Sequence, residues 1–137
     1  MFPNLKKFLA ELDSLNLELD DYLITGGGTL AALGIRDCND LDLLVLNETG
    51  EELKQKYPDR FHAGDHCDKI VFPNIEFMWN FKNPFPGYSG KELMDSATTI
   101  EGRKYQNLES IKFFKDREGR EKDLKDLELI EAYENQL

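Results

Sequence analysis

The chain is short of the residues that would staple, anchor or broadly charge it. Its 137 residues contain only two cysteines, Cys38 and Cys67, in no CxxC pairing, which fits a reducing compartment and gives no disulfide framework. No apolar run approaches the ~20 residues needed to span a bilayer, and the N-terminus "MFPNLKKFLAELDSL" is amphipathic rather than signal-like. A cytoplasmic chain without a membrane partner is the expectation. Basic residues are outnumbered, 17 Lys and Arg against 27 Asp and Glu, for a net charge of −10. That balance argues against a broad nucleic-acid-binding face, though not against a small phosphate-bearing ligand that arrives with its own metal ions. At this length one domain spanning 1–137 is expected, with a single sizeable core.

Apolar spacing sketches the elements. Leu5, Phe8, Leu9, Leu12 and Leu15 predict an amphipathic helix from Asn4, its cap, to about Leu15. "YLIT" (22–25) reads as a short buried strand running into Gly26-Gly27-Gly28, and "TLAAL" (29–33) as a brief helix stopped by Gly34. "DLDLLVL" (40–46) alternates and then becomes wholly apolar, as a strand exposed at its start and buried at its end would do. "NETG" (47–50) reads as a turn before a short helix over 51–57, and "DKIVF" and "NIEFMWNF" as neighbouring strands. A loop rich in Pro and Gly leads to a short helix at 91–97 and a hairpin turning at Glu101-Gly102. Asn107 caps a helix reaching about Lys115, and a last helix runs from Glu121 to near Tyr133 with Leu124, Leu127 and Ile130 on one face. The sum is a compact α+β chain.

The glycine run admits several chemistries. Gly26-x-Gly28-x-x-Ala31 formally matches a dinucleotide fingerprint, but Gly34 ends the helix long before a parallel crossover could be completed. No Lys-Ser or Lys-Thr follows, which argues against a P-loop more strongly still. A glycine turn can still admit phosphate oxygens to the backbone N–H groups of Gly26, Gly27, Gly28 and Thr29. Asp40 and Asp42, at i and i+2, share one strand face, and paired carboxylates suit Mg²⁺ bound together with substrate phosphates. An edge strand that happens to carry two exposed acids is the plainer alternative. Glu76, set between Ile75 and Phe77, favours the site, because a bare carboxylate buried in such a strand is costly. Three carboxylates converging from two strands suit two-metal phosphoryl transfer.

These elements together resemble the nucleotidyltransferase superfamily, with its DNA polymerase beta-like fold. They are Gly27-Gly28, the short helix 29–33, Asp40-Leu41-Asp42-Leu43 and Ile75-Glu76-Phe77. The tail, with Lys115 before Arg120, Lys122, Asp123 and Asp126, is similar to small bacterial nucleotidyltransferase-like proteins. The resemblance implies a small mixed β-sheet flanked by helices. It implies Mg²⁺-dependent transfer of a nucleoside monophosphate from an NTP such as ATP to an acceptor hydroxyl, with two Mg²⁺ ions or Mn²⁺ in their place. Asp40, Asp42 and Glu76 would hold the metals and act in catalysis. Gly26, Gly27, Gly28, Thr29, Arg36, Lys115 and Arg120 would meet the nucleotide. The acceptor, whether small molecule, protein or RNA, is not named by the sequence, and a partner chain or homodimer could supply its site.

A rival reading is a non-catalytic nucleotide- or partner-binding module, such as the nucleotidyltransferase-like component of a toxin–antitoxin pair. Other residues have structural readings beside functional ones. Lys115 and Arg120 admit two readings, a reach to phosphate or a solvated helix corner in which Lys122 pairs with Asp126. Asp123 and Asp126 are expected to lock the tail to cationic partners. Arg36 has two readings, contact with phosphate or pairing with Asp37 or Asp40. His62 and His66, near Asp65 and Cys67, invite a zinc hypothesis, but no second ligand pair has a recognised spacing. Alternation puts Phe77, Trp79 and Phe81 on one face, read as core rather than as a base-stacking platform.

Overall fold

A computed structural model describes residues 1–137. The helices are α1 (Pro3–Asp13), α2 (Gly27–Ala32), α3 (Asn47–Lys56), α4 (Gly90–Asp95), α5 (Leu108–Glu118) and α6 (Glu121–Asn135). The strands are β1 (Tyr22–Ile24), β2 (Leu41–Val45), β3 (Phe61–Ala63), β4 (Asp68–Val71), β5 (Ile75–Trp79), β6 (Thr98–Ile100) and β7 (Arg103–Tyr105). They form one mixed seven-stranded sheet in the order β3-β4-β5-β2-β1-β7-β6. The β2–β5 and β1–β7 pairings are parallel and the other four antiparallel. No helix is long and apolar enough to cross a membrane.

Alternation sends Leu41, Leu43 and Val45 to one face, beside Tyr22, Ile24 and Phe77 of the flanking strands. There they meet Leu5, Phe8, Leu9 and Leu12 of α1 in the main core cluster. Each such side chain contributes roughly 1.5–3 kcal/mol when fully buried. The opposite face is only partly covered. Leu23 and Leu44 pack under Leu93 and Met94 of α4, with Phe114 of α5 alongside. A third cluster, Leu30, Ile111 and Ile130, ties α2 to α5 and α6. Asp42 and Glu76 lie on the partly covered face, where helices leave the centre of the sheet open.

Several local expectations need correction. Asn4 does not cap α1, which begins at Pro3. The cap comes from Asp37, thirty-three residues away, whose carboxylate accepts from the backbone N–H of Asn4 at 3.0 Å and of Leu5 at 3.2 Å. "NETG" is not a turn but the opening of α3. Gly50 lies there directly on the Trp79 indole, where a Cβ would come within 2.2 Å of the ring, so packing overrides the local turn preference. Leu124 is 52% exposed; the buried face of α6 is formed by Asp123, Asp126 and Ile130. Phe77 and Trp79 are core, but Phe81 falls beyond the end of β5 and is exposed. Strand β3, pairing with β4, has too little apolar pattern to show in the sequence.

Candidate active site

Two of the three glycines at the start of α2 are needed, each for its own reason. Gly26 has φ 52° and ψ −120°, a conformation closed to other residues. A Cβ on Gly27 would make only ordinary contact, 3.5 Å from the Arg36 guanidinium, so packing does not require glycine there. A Cβ on Gly28 would come within 2.4 Å of Ile24 Cγ2 and 3.0 Å of Leu41 Cδ1. Close seating of α2 on the sheet therefore accounts for Gly28. Thr25, just before the turn, donates its N–H to the carbonyl of Asp42 at 2.9 Å and its hydroxyl at 3.0 Å. The glycine turn and the acidic strand are thus joined directly. Thr29 is buried, its hydroxyl donating to Gln106 O at 3.1 Å, while the Gln106 side-chain oxygen accepts from Gly26 N at 3.2 Å.

Parallel pairing sets Asp42 opposite Glu76. Burial, reinforced by the charges of Asp40 and Glu76 and by hydrogen bonding to Glu76, pushes the Asp42 carboxyl up to about 6. Asp40 is not on the strand as expected: β2 begins at Leu41, and Asp40 lies in the bend before it. It acts on Asp42 through charge, and no three His, Cys, Asp or Glu side chains are grouped closely enough to hold a metal ion as arranged. That also covers His62 and His66, the former exposed on β3. A residue that sequence reasoning missed stands at the centre of the site. Lys69 of β4 places its Nζ 3.4 Å from Glu76 Oε1. The only signal was period two along "DKIVF", which cannot say which strand Lys69 neighbours.

The cations assigned to the nucleotide are largely engaged by the last helix. Arg36 donates Nε and Nη2 to the two carboxylate oxygens of Asp126, at 2.6 and 2.7 Å, and Nη1 to the carbonyl of Asp37 at 2.9 Å. Lys115 Nζ lies 2.8 Å from Asp126 and 3.5 Å from Asp123. Arg120 Nε donates to Asp123 at 2.7 Å, closing a capping box at the start of α6. Lys122 makes no ion pair with Asp126, whose partners are Arg36 and Lys115. Asp123 and Asp126 are buried, which alone would raise them, but these cationic partners hold both below the usual carboxylate range. Lys115 and Arg120 nevertheless line a small cavity of about 170 Å³ with Thr25, Gly26 and Gln106.

The sequence matches no protein-family model and no curated protein. Its structure is similar to the crystal structure of a putative nucleotidyltransferase from Thermotoga maritima, with a TM-score of 0.59. The two are 17% identical, and the match covers all of this chain and 97% of the other. The chain has a nucleotidyltransferase-like fold. In that fold the glycine turn, β2 and β5 lie side by side, so the residues most distinctive in sequence gather at one place on the open sheet face.

The donor set suits a hard divalent cation. Adjacent carboxyls, one destabilised as an anion by its neighbours, are short of positive charge, and oxygen ligands match Mg²⁺ or Mn²⁺.

Proposed function

We propose that the protein transfers a nucleoside monophosphate from an NTP to an acceptor hydroxyl. The observation that carries this reading is the Asp42–Glu76 pair, hydrogen-bonded through Asp42 O to the residue that opens the glycine turn. Asp42 and Glu76 would hold Mg²⁺, with Asp40 adding negative charge from the bend before β2, and the ion when bound would neutralise the phosphates and favour the ionised acceptor oxygen. The glycine turn orients the triphosphate chiefly through the Gly27 N–H, because those of Gly26, Gly28 and Thr29 are held by Gln106, Thr25 and Gly26, and Lys115 and Arg120 face it across their cavity. Glu76 receives the acceptor proton. The chain's contribution is chiefly positioning and charge compensation.

A second reading, a nucleotide- or partner-binding module without catalysis, draws support from Lys69, whose ammonium supplies positive charge to Glu76 in the metal's stead. Thermal melting separates the two in part. Mg²⁺ with an NTP should raise the melting temperature of wild type and leave Asp42→Asn unchanged. Incubation with labelled NTPs and a cell extract should then label one acceptor. Ligand-induced stabilisation without labelling favours the binding module; a full response in Asp42→Asn overturns the metal assignment.

A further inference from the structure

The open sheet face carries a second feature that phosphate and metal chemistry leave unused. Leu44, two residues beyond Asp42 and on the same face, forms part of the floor of a cavity of about 280 Å³. Phe85, Tyr88 and Phe114 wall it, with Glu118 and His66 at its polar edge. The rings are held in place before any ligand arrives. Tyr88 stacks on Phe113 with centroids 4.3 Å apart and planes 12° off parallel. Phe85 meets Phe113 at 5.7 Å and Phe114 at 5.9 Å, and the Arg117 guanidinium covers it at 4.2 Å. Phe114 and Glu118 also line the cavity beside Gly26, so the two spaces adjoin along α5.

We propose that this cavity seats the acceptor, a small aromatic compound bearing a hydroxyl and a cationic amine. The inference rests on the nucleotidyl-transfer reading above. Its size falls just below the ~300–1,000 Å³ usual for small-molecule pockets, which suits a small single-ring compound. Fixed aromatic walls receive a planar ring at low ordering cost. A sugar placed there would leave several hydroxyls facing phenyl groups without partners. Glu118 is the one carboxylate in the lining and no Lys or Arg lines the cavity, which favours an ammonium over a carboxylate. In the reaction the acceptor oxygen bonds to the α-phosphorus as the bond from that phosphorus to the β-phosphate oxygen breaks. Pyrophosphate leaves, and the hydroxyl proton passes to Glu76.

The same ring chemistry could come from the base of the nucleotide, and the test must tell them apart. Tyramine, phenol, ethanolamine and adenosine are titrated separately into the full chain without metal or NTP, and binding is followed by calorimetry and ligand-observed NMR. Tyramine and phenol should saturate, while ethanolamine and adenosine should not at the same concentrations. Phe85→Ala should weaken both ring probes about tenfold. Glu118→Gln, an exposed change that spares the fold, should weaken tyramine about threefold and leave phenol unaltered. Failure of tyramine to bind, or its displacement by adenosine, overturns the proposal even if Mg²⁺-NTP stabilises the protein and an extract molecule is labelled. Conversely, saturable tyramine binding with no NTP response in any melt overturns the acceptor role through failure of the transfer reading, and the ring site remains only a binding site.

Discussion

Asp42 and Glu76 face each other across the parallel pairing of β2 and β5, and their mutual repulsion is built into the fold. Burial and the neighbouring charges of Asp40 and Glu76 raise Asp42 from 3.8 to about 6. A carboxyl raised on folding holds its proton longer in the folded state than in the unfolded one. Its penalty is absent below about pH 4, grows as pH rises, and is complete above about pH 6. Asp42→Asn should therefore stabilise the metal-free protein by on the order of 2 kcal/mol at pH 7. It should also remove the decline in stability between about pH 4 and pH 6, as read from urea melts across that range. A variant less stable than wild type at pH 7 would show that Asp42 is not under strain.

Lys69 offsets part of that repulsion, 3.4 Å from Glu76. Replacing it with methionine keeps the stem and removes the charge. Mg²⁺ added alone at pH 8 should then bind severalfold more tightly, because the cation no longer competes with an ammonium. Calorimetric titration reads this directly. Weaker Mg²⁺ binding in Lys69→Met would mean that the lysine supports the metal site rather than competing for it.

Asp126 sits between Arg36 and Lys115 and tells how the tail is held. Asp126→Asn leaves two cations without their carboxylate and should cost about 3 kcal/mol in chemical denaturation. Lys122→Ala, on the exposed side of α6, should change stability by less than about 0.5 kcal/mol. The carboxyls of Asp123 and Asp126 are held below their ordinary value in the folded state. Their contribution is therefore complete above about pH 4 and is lost as pH falls further, which gives the protein its acid limit.

Gly28→Ala tests what the glycine run is for. Its Cβ would press on Ile24 and Leu41, so α2 must lift from the sheet, at a cost of roughly 1–3 kcal/mol. The melting temperature should fall by several degrees with no ligand present. An unaltered apo protein that loses only its response to NTP would move Gly28 from packing to phosphate binding.

Much of the site could be read along the chain because its signals are local. The helix stopped at Gly34, the acid–apolar alternation through Asp42 and the lone Glu76 between Ile75 and Phe77 each follow from period and residue chemistry over a few positions. The hairpin at Glu101-Gly102 and the Asn107 cap, which accepts from Ser110 N at 2.7 Å, are local in the same sense. Expectations failed where a distant group competed with local preference. Asp37 took the capping role from Asn4, the Trp79 indole drew Gly50 into a helix, and Arg36 found its carboxylate ninety residues away.

The sequence by itself determined the α+β character, the glycine turn and the three acids, because backbone propensity and alternation act between near neighbours. Which strands pair, and in what register, was decided only by the tertiary structure, since non-local pairing depends on which apolar faces can be buried together. That pairing set Glu76 beside Asp42, brought Lys69 to both, kept Asp40 off the strand, and joined the glycine turn to a ring of aromatic side chains on the open face of the sheet.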